Sequence, residues 1–166
     1  MYIFVSVLKL FDMKRTFAAI VLLFVFSMIV SHRAIAQTNT HPSLNHVAVY
    51  VNDLQKSGDF YRNVVGLETM QEPFHDGRHI WFKIGPHSQL HLISGAKTVE
   101  QHDINAHLCF SVSSMEQFIN NLNKNKVPFY SWQREEGKIT KRVDGVQQIY
   151  FKDPDGYWIE INNDTY

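Results

Sequence analysis

Four residues with metal-binding side chains stand in separate strand-like stretches of the sequence. They are three histidines and one glutamate: His46, His91, His107 and Glu160. In a β-strand successive side chains point to opposite faces, so a ligand within each stretch can face a shared cavity. Neutral imidazoles and a carboxylate suit a divalent transition metal such as zinc, nickel, cobalt, manganese or iron. These residues predict one metal centre, with Glu160 as the candidate catalytic base.

A single histidine in a strand more often makes a local hydrogen bond than binds a metal. The prediction of a shared centre depends on co-occurrence, since the four residues fall at corresponding places in two similar halves. Buried together without a cation, they would carry a large desolvation cost. Glu160, between Ile159 and Ile161, is the member that most needs a partner.

The stretches that carry these ligands belong to two halves with the same order of elements. In the first half we expect a strand at 44–51, a helix at 54–65 that ends at Gly66, and strands at 68–73, 79–84 and 89–93. In the second half we expect a strand at 106–112, a helix at 114–123, and strands at 127–133, 146–151 and 157–161. Asp53 and either Ser113 or Ser114 are candidate helix caps, and residues 153–156 are typical of a hairpin turn. A unit of this kind cannot close its own core, so the two are expected to pair.

Charge and cysteine content narrow the classes of function. The chain has 166 residues, with 16 basic and 16 acidic side chains. The segment before Gln37 contains four of the bases and one of the acids, so residues 37–166 carry a net charge of −3. Nucleic-acid binding normally leaves a basic footprint, and no nucleic-acid partner is expected. Cys109 is the single cysteine, so stability must come from an apolar core rather than from a disulfide.

Residues 1–36 have the pattern of a secretory signal peptide. Lys14 and Arg15 precede an apolar run at 17–30, and small residues at 34–36 supply a cleavage motif. Met13 is an alternative start. A membrane anchor is the competing interpretation, but the run is shorter than the roughly 20 residues that a spanning helix needs. We therefore expect a single domain at 37–166, periplasmic or secreted, without membrane association once the signal is removed.

Two segments of the sequence resemble the opening and closing motifs of the vicinal oxygen chelate superfamily. The opening motif is residues 44–53, followed by Phe60-Tyr61 and Gly66-Leu67, and the closing motif is residues 151–160. This superfamily includes glyoxalase I, fosfomycin-resistance enzymes, methylmalonyl-CoA epimerase, extradiol dioxygenases and bleomycin-resistance proteins. The resemblance implies an α+β fold of two βαβββ modules, at about 42–95 and 104–166, which pair as a curved mixed sheet enclosing a cleft. It also implies a homodimer.

The resemblance assigns the metal ligands to the first and fourth strands of each module. Those positions are His46, His91, His107 and Glu160 in this sequence. A histidine at position 91 departs from the glyoxalase I pattern, in which a glutamate is usual and can help to move the substrate proton. The complete ligand set also departs from the metal-free bleomycin-binding proteins.

A further group of residues is expected to bind substrate around this centre. Arg78 and Arg142 are candidate anchors for an anionic group, because a guanidinium binds a carboxylate with two hydrogen bonds. Solvated loop arginines are the alternative. Cys109 shares a face with His107, but we favour a small thiol that fills core space. Aromatic residues at strand spacing are more often plain core. The candidate pocket walls are Tyr50, Phe110, Tyr130, Trp132, Gln148 and Tyr150.

Three functions are compatible with such a centre. The leading hypothesis is a metal-dependent lyase or isomerase similar to glyoxalase I, acting on a small substrate that chelates the ion through neighbouring oxygens. The first alternative is an iron-dependent extradiol-type dioxygenase, in which an additional histidine would obstruct the open coordination positions. The second is a non-catalytic small-molecule binding or resistance protein. The sequence leaves the substrate open.

Overall fold

The computed structural model describes residues 41–165, and the predicted signal peptide lies outside this range. The described elements are, in chain order, β1 (His46–Val51), α1 (Leu54–Phe60), a π-helical turn (Tyr61–Val65), β2 (Glu68–Met70), β3 (His79–Lys83), β4 (Gln89–Ser94), β5 (His107–Ser111), α2 (Met115–Lys124), β6 (Thr140–Lys141), β7 (Gln147–Lys152) and β8 (Trp158–Asn162). Within residues 41–165 the helices are too short or too polar to span a bilayer.

Each module forms a four-stranded mixed sheet with the same order of strands. The first sheet has the order β1-β4-β3-β2, and the second has the order β5-β8-β7-β6. In both, the first and last strands of the module are parallel neighbours, while the remaining pairs are antiparallel. Parallel neighbours need a long crossover, which the intervening helix and strands supply. The prediction of two βαβββ modules is therefore confirmed.

Both helices begin at the residues that the sequence marked as caps. The Asp53 carboxylate accepts a hydrogen bond from the Lys56 amide at 3.0 Å, and Ser114 Oγ accepts one from the Gln117 amide at 3.3 Å. These bonds satisfy amide groups that the first turn of a helix leaves unpaired. The first helical segment ends at Gly66, whose φ of 87° lies in the left-handed region that glycine adopts readily.

One face of each sheet is apolar and belongs to the core. The core combines alternate residues of both sheets with residues of the helices; its sheet members include Val49, Val51, Leu90, Leu92, Ile149, Phe151, Ile159 and Ile161. Fully burying one such side chain contributes roughly 1.5–3 kcal/mol. A register shift by one residue would move this entire set to the other face, so the core fixes the register of each strand. The opposite, polar face of each sheet is thereby fixed as well.

The turn between β7 and β8 joins the two modules through buried carboxylates. Asp155 accepts hydrogen bonds from the Asn52 amide at 2.6 Å and from Ser57 Oγ at 2.5 Å. Asp153 accepts one from the Tyr61 hydroxyl at 2.8 Å. The closing motif thus acts as a structural link to the start of the first helix.

The prediction of a strand at 127–133 is wrong. Within the described residues, pairing in this segment is limited to Tyr130, which exchanges backbone hydrogen bonds with Tyr150 at 2.7 and 2.9 Å. The chain then turns away, with Arg134 at a φ of 67°. The short strand β6 lies instead between the strands predicted at 127–133 and 146–151. The Trp132 amide donates to Thr140 Oγ1 at 2.6 Å, so a side chain satisfies a donor that a continuous strand would have paired in the sheet.

Candidate metal centre

The four predicted ligands occupy equivalent positions in the two sheets. His46 lies at the start of β1 and pairs with Gln89 on β4, and His91 lies two residues further along β4. His107 lies at the start of β5, and Glu160 lies two residues beyond its partner on β8. Because residues two apart on a strand face the same side, each sheet presents one ligand pair on its polar face.

The first pair consists of two stacked imidazoles. The ring centroids of His46 and His91 are 4.3 Å apart, and Trp81 stacks on His91 at 4.0 Å. The Nδ1 atom of His46 lies 2.8 Å from the Asn45 amide oxygen, and Nε2 of His91 lies 2.8 Å from the Gln89 amide oxygen. Since an amide oxygen only accepts, each ring carries its proton on the bonded nitrogen and its lone pair on the other. Such a second hydrogen bond is typical of histidines that bind a metal.

The protonation state of His91 suits the same role. Burial, followed by the neighbouring charges of His46 and His79, lowers the pKa of His91 below its ordinary value. The neutral ring is therefore favoured at pH 7, and only a neutral imidazole can donate its lone pair to a metal.

The second pair joins an imidazole directly to a carboxylate. Nε2 of His107 lies 3.1 Å from Oε2 of Glu160, and Nδ1 of the same ring lies 2.6 Å from the Ile104 carbonyl oxygen. The carbonyl fixes the proton on Nδ1, so that Nε2 faces the carboxylate and the polar side of the sheet.

Four further side chains donate hydrogen bonds to the Glu160 carboxylate, which is only 4 % exposed. Tyr150 donates to Oε2 at 2.7 Å, while Gln148, Asn162 and Cys109 donate to Oε1 at 2.7, 2.9 and 3.3 Å. Burial opposes ionisation, but these hydrogen bonds outweigh it and lower the pKa of Glu160. The carboxylate is therefore ionised at neutral pH and held by residues of three strands.

The expectation that Cys109 fills core space is wrong. The residue is exposed on the polar face, directly opposite Glu160 in the β5–β8 register. Partial burial of the sulfur and then the charge of Glu160 raise the pKa of the thiol to about 12. The thiol therefore stays protonated and donates to the carboxylate.

The donors of the two pairs fit a divalent transition metal, because each imidazole is oriented by a second hydrogen bond and the carboxylate is ionised. The structure brings the donors together in pairs. Among residues 41–165, no group of three or more histidine, cysteine, aspartate or glutamate side chains has an arrangement that could hold a metal ion. One chain therefore presents two ligand pairs, which are candidate half-sites, one on each sheet.

The predicted pocket walls lie in different places. Gln148 and Tyr150 belong to the Glu160 network, and the Trp132 ring lies 5.7 Å from the Tyr150 ring. Tyr130 packs edge-on against Trp158, with 6.1 Å between the ring centroids. Tyr50 lies on the first sheet and Phe110 packs against the core, so the walls near Glu160 are the other four.

The two predicted anchoring arginines occupy different places. Arg142 forms ion pairs with Asp144 and, at 3.6 Å, with Asp164, and its charge acts on Glu160. Arg78 lies in the first module, where its guanidinium is 3.5 Å from the Ser94 carbonyl oxygen. Arg142 is accordingly the arginine that lies near the second ligand pair.

The sequence did not single out several residues of this site, among them Asn45, Trp81, Gln89 and Asn162. Period-two alternation from Glu160 would have placed Asn162 on the polar face. The partners of His91 depend on the pairing of β3 with β4, since Trp81 lies opposite His91 in that register.

Comparison with known proteins agrees with this architecture. The profile of the Glyoxalase/Bleomycin resistance protein/Dioxygenase superfamily matches residues 43–161. Metallothiol transferase FosB of Staphylococcus saprophyticus is 28% identical over 128 residues, which cover 74% of this chain and 78% of the transferase. Glyoxylase I 4 of Arabidopsis thaliana is 30% identical over 127 residues, covering 73% and 70% of the two chains.

A solved structure, Oxidase ChaP-H2, shares the fold with a TM-score of 0.63 at 24% identity, covering 76% of this chain and 97% of the oxidase. The profile match spans both modules and therefore both ligand pairs. The chain belongs to the glyoxalase/bleomycin resistance protein/dioxygenase superfamily, also called the vicinal oxygen chelate superfamily.

Proposed function

We propose that the protein is a divalent-metal-dependent lyase or isomerase of the glyoxalase I type, acting on a small substrate that chelates the ion through two neighbouring oxygens. His46, His91, His107 and Glu160 would hold the ion. When bound, such an ion polarises a carbonyl and stabilises negative charge on the adjacent oxygen. The observation that carries the proposal is the equivalence of the two ligand pairs, each on the polar face of its own sheet.

The neighbouring residues would keep the ligands oriented during the reaction. Asn45, Gln89 and the Ile104 carbonyl each hold one histidine nitrogen. The second nitrogen of His46 and of His91 is thereby left to face a ligand, while Nε2 of His107 faces Oε2 of Glu160 at 3.1 Å. Outer hydrogen bonds of this kind typically change metal affinity by about 10- to 100-fold.

Glu160 is the carboxylate of the ligand set and is therefore the proposed base, which would take a proton from the carbon beside the substrate carbonyl. Burial and then the hydrogen bond to Glu160 raise the pKa of Tyr150, so the Tyr150 hydroxyl keeps its own proton. It would continue to donate to Oε2 and so position the carboxylate.

Two copies of the chain would complete each centre in this proposal. Its support is that the two pairs lie on separate sheets and that, within residues 41–165 of a single chain, no group of three or more potential ligands could hold an ion. The polar face of the first sheet is open to a partner, since His46 is exposed and Tyr50 on the same face is 51 % exposed.

The reaction is tested with purified protein loaded with nickel or zinc and given methylglyoxal plus glutathione. We expect thioester formation, and no detectable turnover in the Glu160→Gln variant, which loses both the proposed base and a proposed metal ligand. Glu116→Gln, which changes an exposed carboxylate in α2, is the matched control. Turnover that survives Glu160→Gln would contradict the proposed role. Fosfomycin plus a thiol is the second substrate pair, and turnover there alone would replace the lyase by a transferase.

We further propose that residues 1–36 direct export and are removed. The support is the basic, apolar and small-residue order of that segment. The mass of protein recovered from the exported fraction should correspond to a chain that begins near Gln37, whereas an intact leader on the recovered chain would contradict export with cleavage.

A further inference from the structure

A cavity of about 360 Å³ lies on the polar face of the second sheet, beside the Glu160 network. Lys152 on β7 and Trp158 on β8 are paired neighbours in this cavity. They lie two residues from Tyr150 and Glu160 respectively, on the same face, so the cavity is roughly 7 Å along the strands from the carboxylate. Its lining residues are Pro128, Tyr130, Arg134, Lys152 and Trp158.

The aromatic wall of the cavity is rigid. Trp158 is 6 % exposed, and its indole N–H donates to the His102 carbonyl oxygen at 3.0 Å. Tyr130 packs edge-on against this ring and is tied to Tyr150 by two backbone hydrogen bonds. A wall that is fixed before a ligand arrives loses little conformational entropy when the ligand binds.

The charge of the cavity is positive. Lys152 Nζ lies 4.9 Å from the Trp158 ring centroid and donates to the Gln101 side-chain oxygen at 2.7 Å. Within residues 41–165, neither Lys152 nor Arg134 forms an ion pair with a carboxylate. The charge of Arg134 helps to lower the pKa of Asp103, but this carboxylate is exposed and does not line the cavity. Two cations thus border aromatic surface without an acidic residue in the lining.

We propose that this cavity is a substrate subsite for an oxyanion, carboxylate or phosphate, carried on a flat unsaturated ring. Arg134 and Lys152 would bind the oxyanion, and the ring would pack against Tyr130 and Trp158. This proposal rests on the proposed function. It narrows the substrate class to molecules in which two chelating oxygens lie about 7 Å from an anionic group on an aromatic ring. The cavity volume is within the roughly 300–1,000 Å³ usual for small-molecule pockets.

The subsite is tested by calorimetric titration of the purified full chain, in the presence of a metal chelator. The probes are benzoate and phenyl phosphate, with benzyl alcohol as the neutral analogue and inorganic phosphate as the anion without a ring. We expect saturable binding of the aromatic anions, and binding about tenfold weaker for both comparison probes, which corresponds to the loss of one charged contact or one stacked ring. Whichever of benzoate and phenyl phosphate binds with higher affinity shows whether the subsite prefers a carboxylate or a phosphate.

Two variants examine the residues themselves. Arg134→Gln and Lys152→Gln should each weaken phenyl phosphate binding by roughly fivefold to tenfold, because each removes one charge-assisted contact. Lys138→Gln, in the same loop but outside the lining, is the matched control and should bind like the unaltered chain. Melting curves of both variants verify that they are folded. Unchanged affinity in Arg134→Gln and Lys152→Gln, equal affinity for benzyl alcohol, or no saturable binding would overturn the proposal.

A further pair of measurements separates this subsite from the metal centre. His91→Ala, on the other sheet, should reduce metal retention while leaving phenyl phosphate binding intact. Lys152→Gln should weaken phenyl phosphate binding while leaving metal retention intact. If the unaltered chain retains no metal but binds the aromatic anions, the proposed function fails and the subsite stands; if it retains metal but does not bind them, the subsite fails and the function stands.

Discussion

A carboxylate as deeply buried as that of Glu160 would ordinarily have a raised pKa, because burial disfavours the charged form. Glu160 instead stays ionised through donors on three strands, and its alignment with His107 is fixed by the same contacts. The carboxylate is therefore negatively charged and held in place before any cation binds. A cation site needs such a fixed negative charge, whereas an apolar core has no use for one.

The hydroxyl of Tyr150 offers a direct test of this arrangement. Tyr150→Phe removes the 2.7 Å hydrogen bond to Oε2 with little change in volume. We expect metal affinity to fall about tenfold, because the carboxylate loses part of its orientation. Competition with a chelator of known affinity measures the change.

Tyr157→Phe is the control for this substitution. It removes a tyrosine hydroxyl whose 3.4 Å hydrogen bond goes to the Tyr50 carbonyl oxygen, away from the Glu160 network. Equal metal affinity in Tyr150→Phe and in Tyr157→Phe would show that the Tyr150 hydroxyl does not position the carboxylate.

At the scale of single elements, period-two alternation carried most of the prediction. It placed His46 and His107 on faces opposite to the apolar core residues, and the structure has them there. The strand at 127–133 failed because alternation does not report pairing partners: the side chain of Thr140 takes the Trp132 amide, and the segment leaves the sheet after Tyr130. The stacking of Trp81 on His91 likewise follows from strand register, which the sequence does not specify.

The turn between β7 and β8 depends on a glycine for two reasons. Gly156 has a φ of 90°, and a Cβ atom there would lie 2.1 Å from the Glu100 carbonyl oxygen. Gly145 has nearly the same φ, 91°, but no heavy atom of the described residues lies within 4 Å of its Cβ position. Both substitutions to alanine incur backbone strain, while only Gly156→Ala must also displace backbone.

We therefore expect Gly145→Ala to reduce the free energy of unfolding by about 1 kcal/mol. Gly156→Ala should reduce it by at least about 2 kcal/mol more, since a steric conflict with backbone cannot be relieved by a side-chain rotation. Chemical denaturation of the two variants measures the difference. Similar losses in both would mean that the close approach to Glu100 has no energetic weight.

The same turn makes stability depend on pH through Asp153. Burial raises the pKa of this carboxyl to about 6, despite hydrogen bonds from Tyr61 and from the amides of Tyr157 and Asp155. The folded state therefore holds a proton that the unfolded chain releases near its ordinary value of 3.8. Between pH 4 and 6 the folded state binds more protons at Asp153 than the unfolded chain does. The contribution of Asp153 to the free energy of unfolding therefore falls as pH rises through that window.

Comparison with Asp153→Asn isolates this contribution. We expect the unfolding free energy of the unaltered protein, minus that of the variant, to decrease by about 2 kcal/mol between pH 4 and pH 6.5. Urea unfolding at several pH values measures it. Parallel curves for the two proteins, or a difference that grows with pH, would contradict the assignment.

At the scale of the whole molecule, the two modules repeat one design, and the proposed ligand set is divided between them. The core and the carboxylates of the closing turn link the modules on one side, while the ligand pairs lie on the polar faces of separate sheets. The sequence predicted the four positions but not this division, since the packing of two modules depends on contacts between distant segments. In a symmetric dimer each half-site could meet the complementary half-site of the other copy.

The metal content of protein purified without a chelating tag tests the central claim most directly. We expect about one divalent ion per chain, and none in either His46→Ala or Glu160→Gln alone. Co-expression of these two variants should restore about a quarter of the metal, because half of the dimers are mixed and each mixed dimer has one intact site of two. No stoichiometric metal in the unaltered protein, or full metal in both variants, would contradict the claim that these four residues hold one ion.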